Sequence, residues 1–128
     1  MTGEHVERDP LTETVIGLAI EVHRALGPGL LESAYEACFC YELKANDVPF
    51  QRQVPLPVSY ETIKLDCGYR MGVAIDDRLV VELKTVDRLL AVHDAQLLTY
   101  LKLSGIATGL LLNFNTAVLK DGIRRLVL

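Results

Sequence analysis

The run Leu79-Val80-Val81-Glu82-Leu83-Lys84 places two charged side chains inside a stretch of strand-forming residues. Alternate residues of a strand share a face, so Leu79, Val81 and Leu83 form one surface and Val80, Glu82 and Lys84 the other. On an edge strand, Glu82 and Lys84 would simply be a solvated pair. Here helices and further strands flank the run, which predicts a central strand, and burying unpaired charge on a central strand is costly. The polar pair therefore needs a reason to be there.

The register of the hairpin that contains it follows from the apolar pattern. A three-residue loop, Asp76-Asp77-Arg78, pairs Ile75 with Leu79 and Val73 with Val81. A two-residue loop would set Ile75 against Arg78 and turn an apolar face against a polar one. In the better register Gly72 lies across from Glu82, at Cβ separations of roughly 5 Å for such positions.

The rest of the chain reads as alternating blocks. Thr12 to Leu26 carries apolar residues at a helical period, with Glu21 and His23 expected on its solvated face. Gly27-Pro28-Gly29 breaks that helix, because proline disfavours the helical region for the residue before it. A second helix is expected from Leu30 to Ala45. Phe50 to Tyr60 alternates like a strand, but Pro55 and Pro57 demote it to an edge strand or a bent one. Strands follow over 65–75 and 79–84, then a helix over 92–103 stopped by Ser104-Gly105. Gly109 to Asn113 reads as a buried strand. Gly122 to Leu128 reads as a last one, with Ile123 and Val127 inward and Arg124 and Arg125 near an edge. The order ααβββαββ is a single α+β domain, a mixed sheet flanked by helices, after a flexible segment over 1–10.

Half of the 128 residues are hydrophobic, which suits a packed domain. The net charge of −4 argues against a general DNA-coating protein, although one local patch could still meet a phosphate backbone. No apolar stretch approaches the roughly 20 residues needed to cross a bilayer, and no signal-peptide pattern opens the chain. Cys38, Cys40 and Cys67 lack a Cys-x-x-Cys spacing and cannot all pair within the chain, so reduced thiols in a cytoplasmic protein are expected. Cys38 and Cys40 point different ways on a helix and do not suit a shared metal.

Gly29-Leu30-Leu31-Glu32-Ser33-Ala34-Tyr35 matches the pattern of the bacterial GxxExxY proteins. The resemblance continues through Tyr69-Arg70, Glu82-Leu83-Lys84, Gln96-Leu97-Leu98-Thr99-Tyr100 and Gly109-Leu110-Leu111-Leu112-Asn113-Phe114, in the expected order. That family resembles the PD-(D/E)XK nuclease superfamily, and its Gln-x-x-x-Tyr element is similar to that of RecB-like nucleases. The resemblance implies a restriction-endonuclease-like core and hydrolysis of phosphodiesters in DNA or RNA with Mg²⁺ or Mn²⁺. It implies that Glu82, the Leu83 carbonyl and Glu32 ligate the metal, and that Lys84 orients the attacking water. Gln96 and Tyr100, four apart on one helical face, would position Lys84, the water or the backbone. Arg70 would touch phosphate or pair with an acidic neighbour. More ordinary roles also suit several of these residues. Glu32 would favour a helix N-terminus, Tyr35 and Tyr100 would be core aromatics, and His93 would cap a helix.

One departure matters. The family pattern carries Arg-x-Asp on the strand before Glu-x-Lys, and that aspartate is the principal metal ligand. Here the stretch reads Arg70-Met71-Gly72. Asp76 and Asp66 cannot substitute, lying roughly 13 and 20 Å away along an extended strand. Three readings follow: an impaired metal-dependent nuclease, a non-catalytic nucleic-acid- or protein-interaction module, or a domain whose polar strand face pairs within a homodimer. No membrane partner is expected.

Overall fold

The computed structural model describes residues 9–128, so the flexible segment expected over 1–10 lies outside the described residues except for Asp9 and Pro10, which belong to the start of a helix. Asp9 caps the first helix, α1 (Pro10–Leu26), its Oδ1 accepting from the Thr12 amide at 2.8 Å, and Pro10 occupies the first turn where no amide is required. Gly27 ends the helix at φ 67°, a conformation that costs a glycine little, and its amide returns to the His23 carbonyl. The second helix, α2 (Glu32–Ala45), starts directly after the Gly27-Pro28-Gly29 break. Both helices bury one face: Val15, Ala19, Tyr35, Phe39 and Leu43 are fully enclosed.

The expected strands divide further than their sequence pattern indicates. Phe50 to Tyr60 splits into β1 (Phe50–Pro55) and β2 (Val58–Tyr60), interrupted where Pro57 follows Leu56. The stretch from 65 to 75 gives up its first residue to β3 (Ile63–Leu65), and β4 (Arg70–Ile75) follows a turn containing Gly68 at φ 76°. The β2 and β3 strands pair only with each other. Then come β5 (Leu79–Lys84), α3 (Ala91–Ser104), β6 (Thr108–Asn113), a 3₁₀ turn (Leu119–Gly122) and β7 (Ile123–Val127).

The main sheet runs β1-β4-β5-β6-β7, which makes β5 its central strand and β1 an edge. All its neighbours are antiparallel except β5 and β6, which are parallel and joined through α3. The β4–β5 register is the one the three-residue loop requires, with Ile75 opposite Leu79 and Val73 opposite Val81. One side of the sheet packs Val73, Ile75, Val81, Leu83, Leu110 and Leu112 against α1 and α2. The other packs Ala74, Val80 and Leu111 against Leu97, Tyr100 and Leu101 of α3.

Alternation breaks at one place. Phe50, Val73 and Ile75 belong to the α1/α2 side, whereas Val54 and Met71 belong to the α3 side. Between them lie Gly72 and Gln53, the latter held at φ 51°. The β1–β4 ribbon changes face there, at the same end of the sheet as Glu82 and Lys84.

Two expectations are corrected. His23 is not on a solvated face: it is 5% exposed, its Nε2 lies 2.8 Å from the Thr116 carbonyl, and its ring packs near Phe114. The segment after β6 folds back over α1 and covers it, a long-range contact that helical periodicity does not reveal. Val127 is not inward but exposed, at the far end of the edge strand.

Candidate functional site

Glu82 and Lys84 leave β5 on the α3 side of the sheet, as strand alternation requires. The Lys84 ammonium donates to Gln96 Oε1 at 3.0 Å, which fixes it against the first half of α3. Tyr100, one helical turn beyond Gln96, is buried in the core under α3. Burial raises its hydroxyl pKa, and the charges of Glu82 and Tyr69 add to the effect. Glu82, Lys84, Gln96 and Tyr100 therefore gather at one end of the sheet.

Gly72 completes the picture from β4. Its amide donates to Glu82 Oε2 at 2.6 Å. The β4–β5 ladder is paired as far as Val73 and Val81, and the next amide along β4 is taken by this carboxyl. Glu82 is 8% exposed, and burial pushes its carboxyl up to about 7, against the opposing pull of the Gly72 amide and Lys84. Glu32 and Glu36 add repulsion in the same upward direction.

Glu32 stands, exposed, at the first turn of α2. Partial desolvation raises its pKa; Lys84 opposes the shift and Glu36 reinforces it. It thus belongs to the same electrostatic cluster as Glu82, and it also sits where a helix N-terminus favours an acid. Arg70 is exposed at the start of β4, opposite Pro55 of β1.

Other residues take structural positions. Tyr35 stacks on Phe114 with ring centroids 4.6 Å apart. Its hydroxyl donates to the Gly27 carbonyl and accepts from the Leu30 amide, bracing the Gly-Pro-Gly break. His93 Nδ1 accepts from the Leu90 amide at 2.8 Å, so this residue caps α3. Asn113, buried at the end of β6, bonds both the amide and the carbonyl of Val86 and so fixes the chain just after Lys84.

Glu36, Arg52 and Gln53 join the site although no sequence motif marks them. Glu36 is 8% exposed and follows Glu32 by one helical turn. Its Oε2 accepts from Arg52 Nε at 3.2 Å and Nη2 at 3.1 Å, and Gln53 Nε2 reaches both carboxylate oxygens. Glu36 Oε1, Glu82 Oε2 and the Val81 carbonyl all lie 3.3 Å from the point where a Cβ on Gly72 would sit. The signal was available in the four-residue spacing from Glu32, which puts both acids on one face of α2.

These acids do not assemble a preformed cation site. Among the described residues, no group of three or more His, Cys, Asp or Glu side chains could hold a metal ion. Glu36 is already engaged by Arg52 and Gln53, Glu82 is turned to the Gly72 amide, and position 72 carries no acid. The set expected as ligands, Glu82, Glu32 and the Leu83 carbonyl, is thus not brought together as a cation site among the described residues. The arrangement as folded does not fit a resident divalent ion.

Comparison with known proteins gives one family. A model of the PD-(D/E)XK nuclease superfamily matches residues 9–126, nearly the whole chain. No curated protein and no solved structure matches. Members of the superfamily generally use divalent metals. The three helices and mixed five-stranded sheet, with Glu82 and Lys84 on its central strand, agree with that match. The chain belongs to the PD-(D/E)XK nuclease superfamily.

Proposed function

We propose that this domain engages nucleic acid at the Glu82–Lys84 end of its sheet and that its phosphodiester hydrolysis is impaired at position 72. The observation that carries this reading is the bond from the Gly72 amide to Glu82 Oε2. It stands where the family pattern puts a second carboxylate, and it turns the remaining acid toward the backbone. Lys84, held by Gln96, keeps a cation available for a phosphate, with exposed Arg70 at the start of the neighbouring strand. The ordered GxxExxY-type motifs support placing the chain in that group of the superfamily.

This chain's own residues suggest how binding would work. Lys84 supplies the charge and Gln96 holds it in place. The Tyr100 hydroxyl, kept protonated by burial and by Glu82, acts as a donor rather than an anion. Glu82 carries its proton through much of the range below about 7, which lowers repulsion toward a phosphate backbone.

The test is a cleavage assay on labelled DNA and RNA in Mn²⁺, using the wild type, Gly72→Asp and Gly72→Asp/Glu82→Ala. The expected result is an inert or very slow wild type, cleavage gained in Gly72→Asp, and loss of that gain in the double variant. Efficient wild-type cleavage abolished by Glu82→Ala would overturn the reading in favour of an active nuclease.

A further inference from the structure

The disagreement between a metal-using family and this site has a specific content. Buried acids need compensation, because isolated carboxylates are costly to remove from water. In a metal-using site the ion supplies that compensation, and without it the acids repel one another. Here Glu36 and Glu82 converge on the space beside Gly72, and Glu32 is close enough to add to the upward shift that burial imposes on Glu82.

The cation in direct contact with Glu36 comes from β1, whereas Lys84 is the charge that acts on Glu82 and Glu32. Arg52 aims two nitrogens at Glu36 Oε2, and Gln53 covers the rest of that carboxylate. Two features show that this clamp is built in rather than incidental. Glu36 is nearly enclosed, unlike the partners of the exposed Arg78–Asp76 pair. Gln53 also holds a left-handed backbone, a conformation that costs a non-glycine residue energy, at the point where the ribbon changes face.

We propose that Arg52 is the resident cation at Glu36, standing in place of a divalent ion as the charge that compensates that carboxylate. The Glu36 carboxylate is accordingly compensated without metal, and removing the guanidinium opens a site that acquires a need for one. Guanidinium suits the task because it stays charged and donates in a planar fork. The inference concerns the acids alone, so it stands apart from whether nucleic acid binds.

The experiment measures thermal unfolding of the wild type, Arg52→Gln, Arg52→Lys and Arg52→Gln/Glu36→Gln. Each is measured in EDTA, in millimolar Mn²⁺, and in K⁺ at matched ionic strength. The wild type is expected to melt at one temperature in all three buffers. Arg52→Gln is expected to melt lower in EDTA and to rise by on the order of 5 °C with Mn²⁺ but not K⁺. Arg52→Lys, which keeps a cation, and the double variant, which removes the acid, are expected to lose this response. A wild-type Mn²⁺ shift abolished by Glu82→Gln would overturn the proposal. So would an Arg52→Gln protein indifferent to Mn²⁺. Failure of Arg52→Gln to fold with or without Mn²⁺ also counts against it, since an ion would then not replace the guanidinium.

Discussion

Replacing Glu82 by glutamine isolates the cost of ionising a buried carboxyl. The Gly72 amide can donate to the glutamine carbonyl as it does to the carboxyl, so the shape of the contact is kept. What changes is titration. The carboxyl moves from its ordinary 4.5 to about 7 in the folded protein, chiefly through burial. At about 1.4 kcal/mol per tenfold, ionising it costs the folded state about 3 kcal/mol more than the unfolded chain. The folded protein therefore holds this proton more tightly than the unfolded one does. The stabilisation is complete below pH 4.5, falls as the unfolded chain ionises first, and is gone once pH passes about 7. Urea denaturation at pH 4, 6 and 8 measures it directly. The variant and the wild type should be close in stability at pH 4, and E82Q should be more stable by about 3 kcal/mol at pH 8. Most other carboxyls titrate alike in both proteins, so the difference reports Glu82 and its coupling to Glu32 and Glu36. A stability difference that does not change with pH would refute the reasoning, as would an E82Q protein less stable than the wild type at pH 8.

Other perturbations test how the site is supported. A Cβ on Gly109 would lie 2.8 Å from a methyl carbon of Leu97, which is fully buried, so Gly109→Ala should cost about 1–3 kcal/mol in urea denaturation through overpacking under α3. Tyr35→Phe keeps the stack on Phe114 but removes the hydroxyl shared by Gly27 and Leu30; a loss of about 1–2 kcal/mol is expected by the same measurement. Asn113→Ala strands the Val86 amide and leaves its carbonyl only a long bond from Asn115 at 3.4 Å; it should cost about 2 kcal/mol, with faster amide exchange at residues 84–86 as its local signature.

The central hairpin was legible because its pattern is unambiguous. Ile75, Val73, Leu79 and Val81 match in only one register, and that register puts Gly72 beside Glu82. Periodicity also gave the helices, since Gly27 and Gly105 stop them at fixed points. The departures have common causes. His23 is buried by Thr116 and Phe114, more than ninety residues away in sequence, and no local pattern carries that information. The small β2–β3 hairpin arose where Pro57 and the Gly68 turn cut longer apparent strands. Glu36 was hidden for another reason: the recognisable motif ends at Tyr35, and the next residue reads as an ordinary surface acid. Its significance depends on Arg52 and Gln53, which reach it because the ribbon changes face at Gln53.

We propose that this site binds nucleic acid through Lys84 without a metal, with cleavage very slow or absent. Fluorescence anisotropy with labelled single-stranded and duplex oligonucleotides tests it, in EDTA and in Mg²⁺, for the wild type and Lys84→Ala, with the recovered oligonucleotide run on a gel. The same wild-type affinity is expected in both buffers, with binding weakened several-fold by Lys84→Ala and the oligonucleotide intact or very slowly cut. Binding or efficient cleavage that appears only with Mg²⁺, or affinity unchanged by Lys84→Ala, would contradict it.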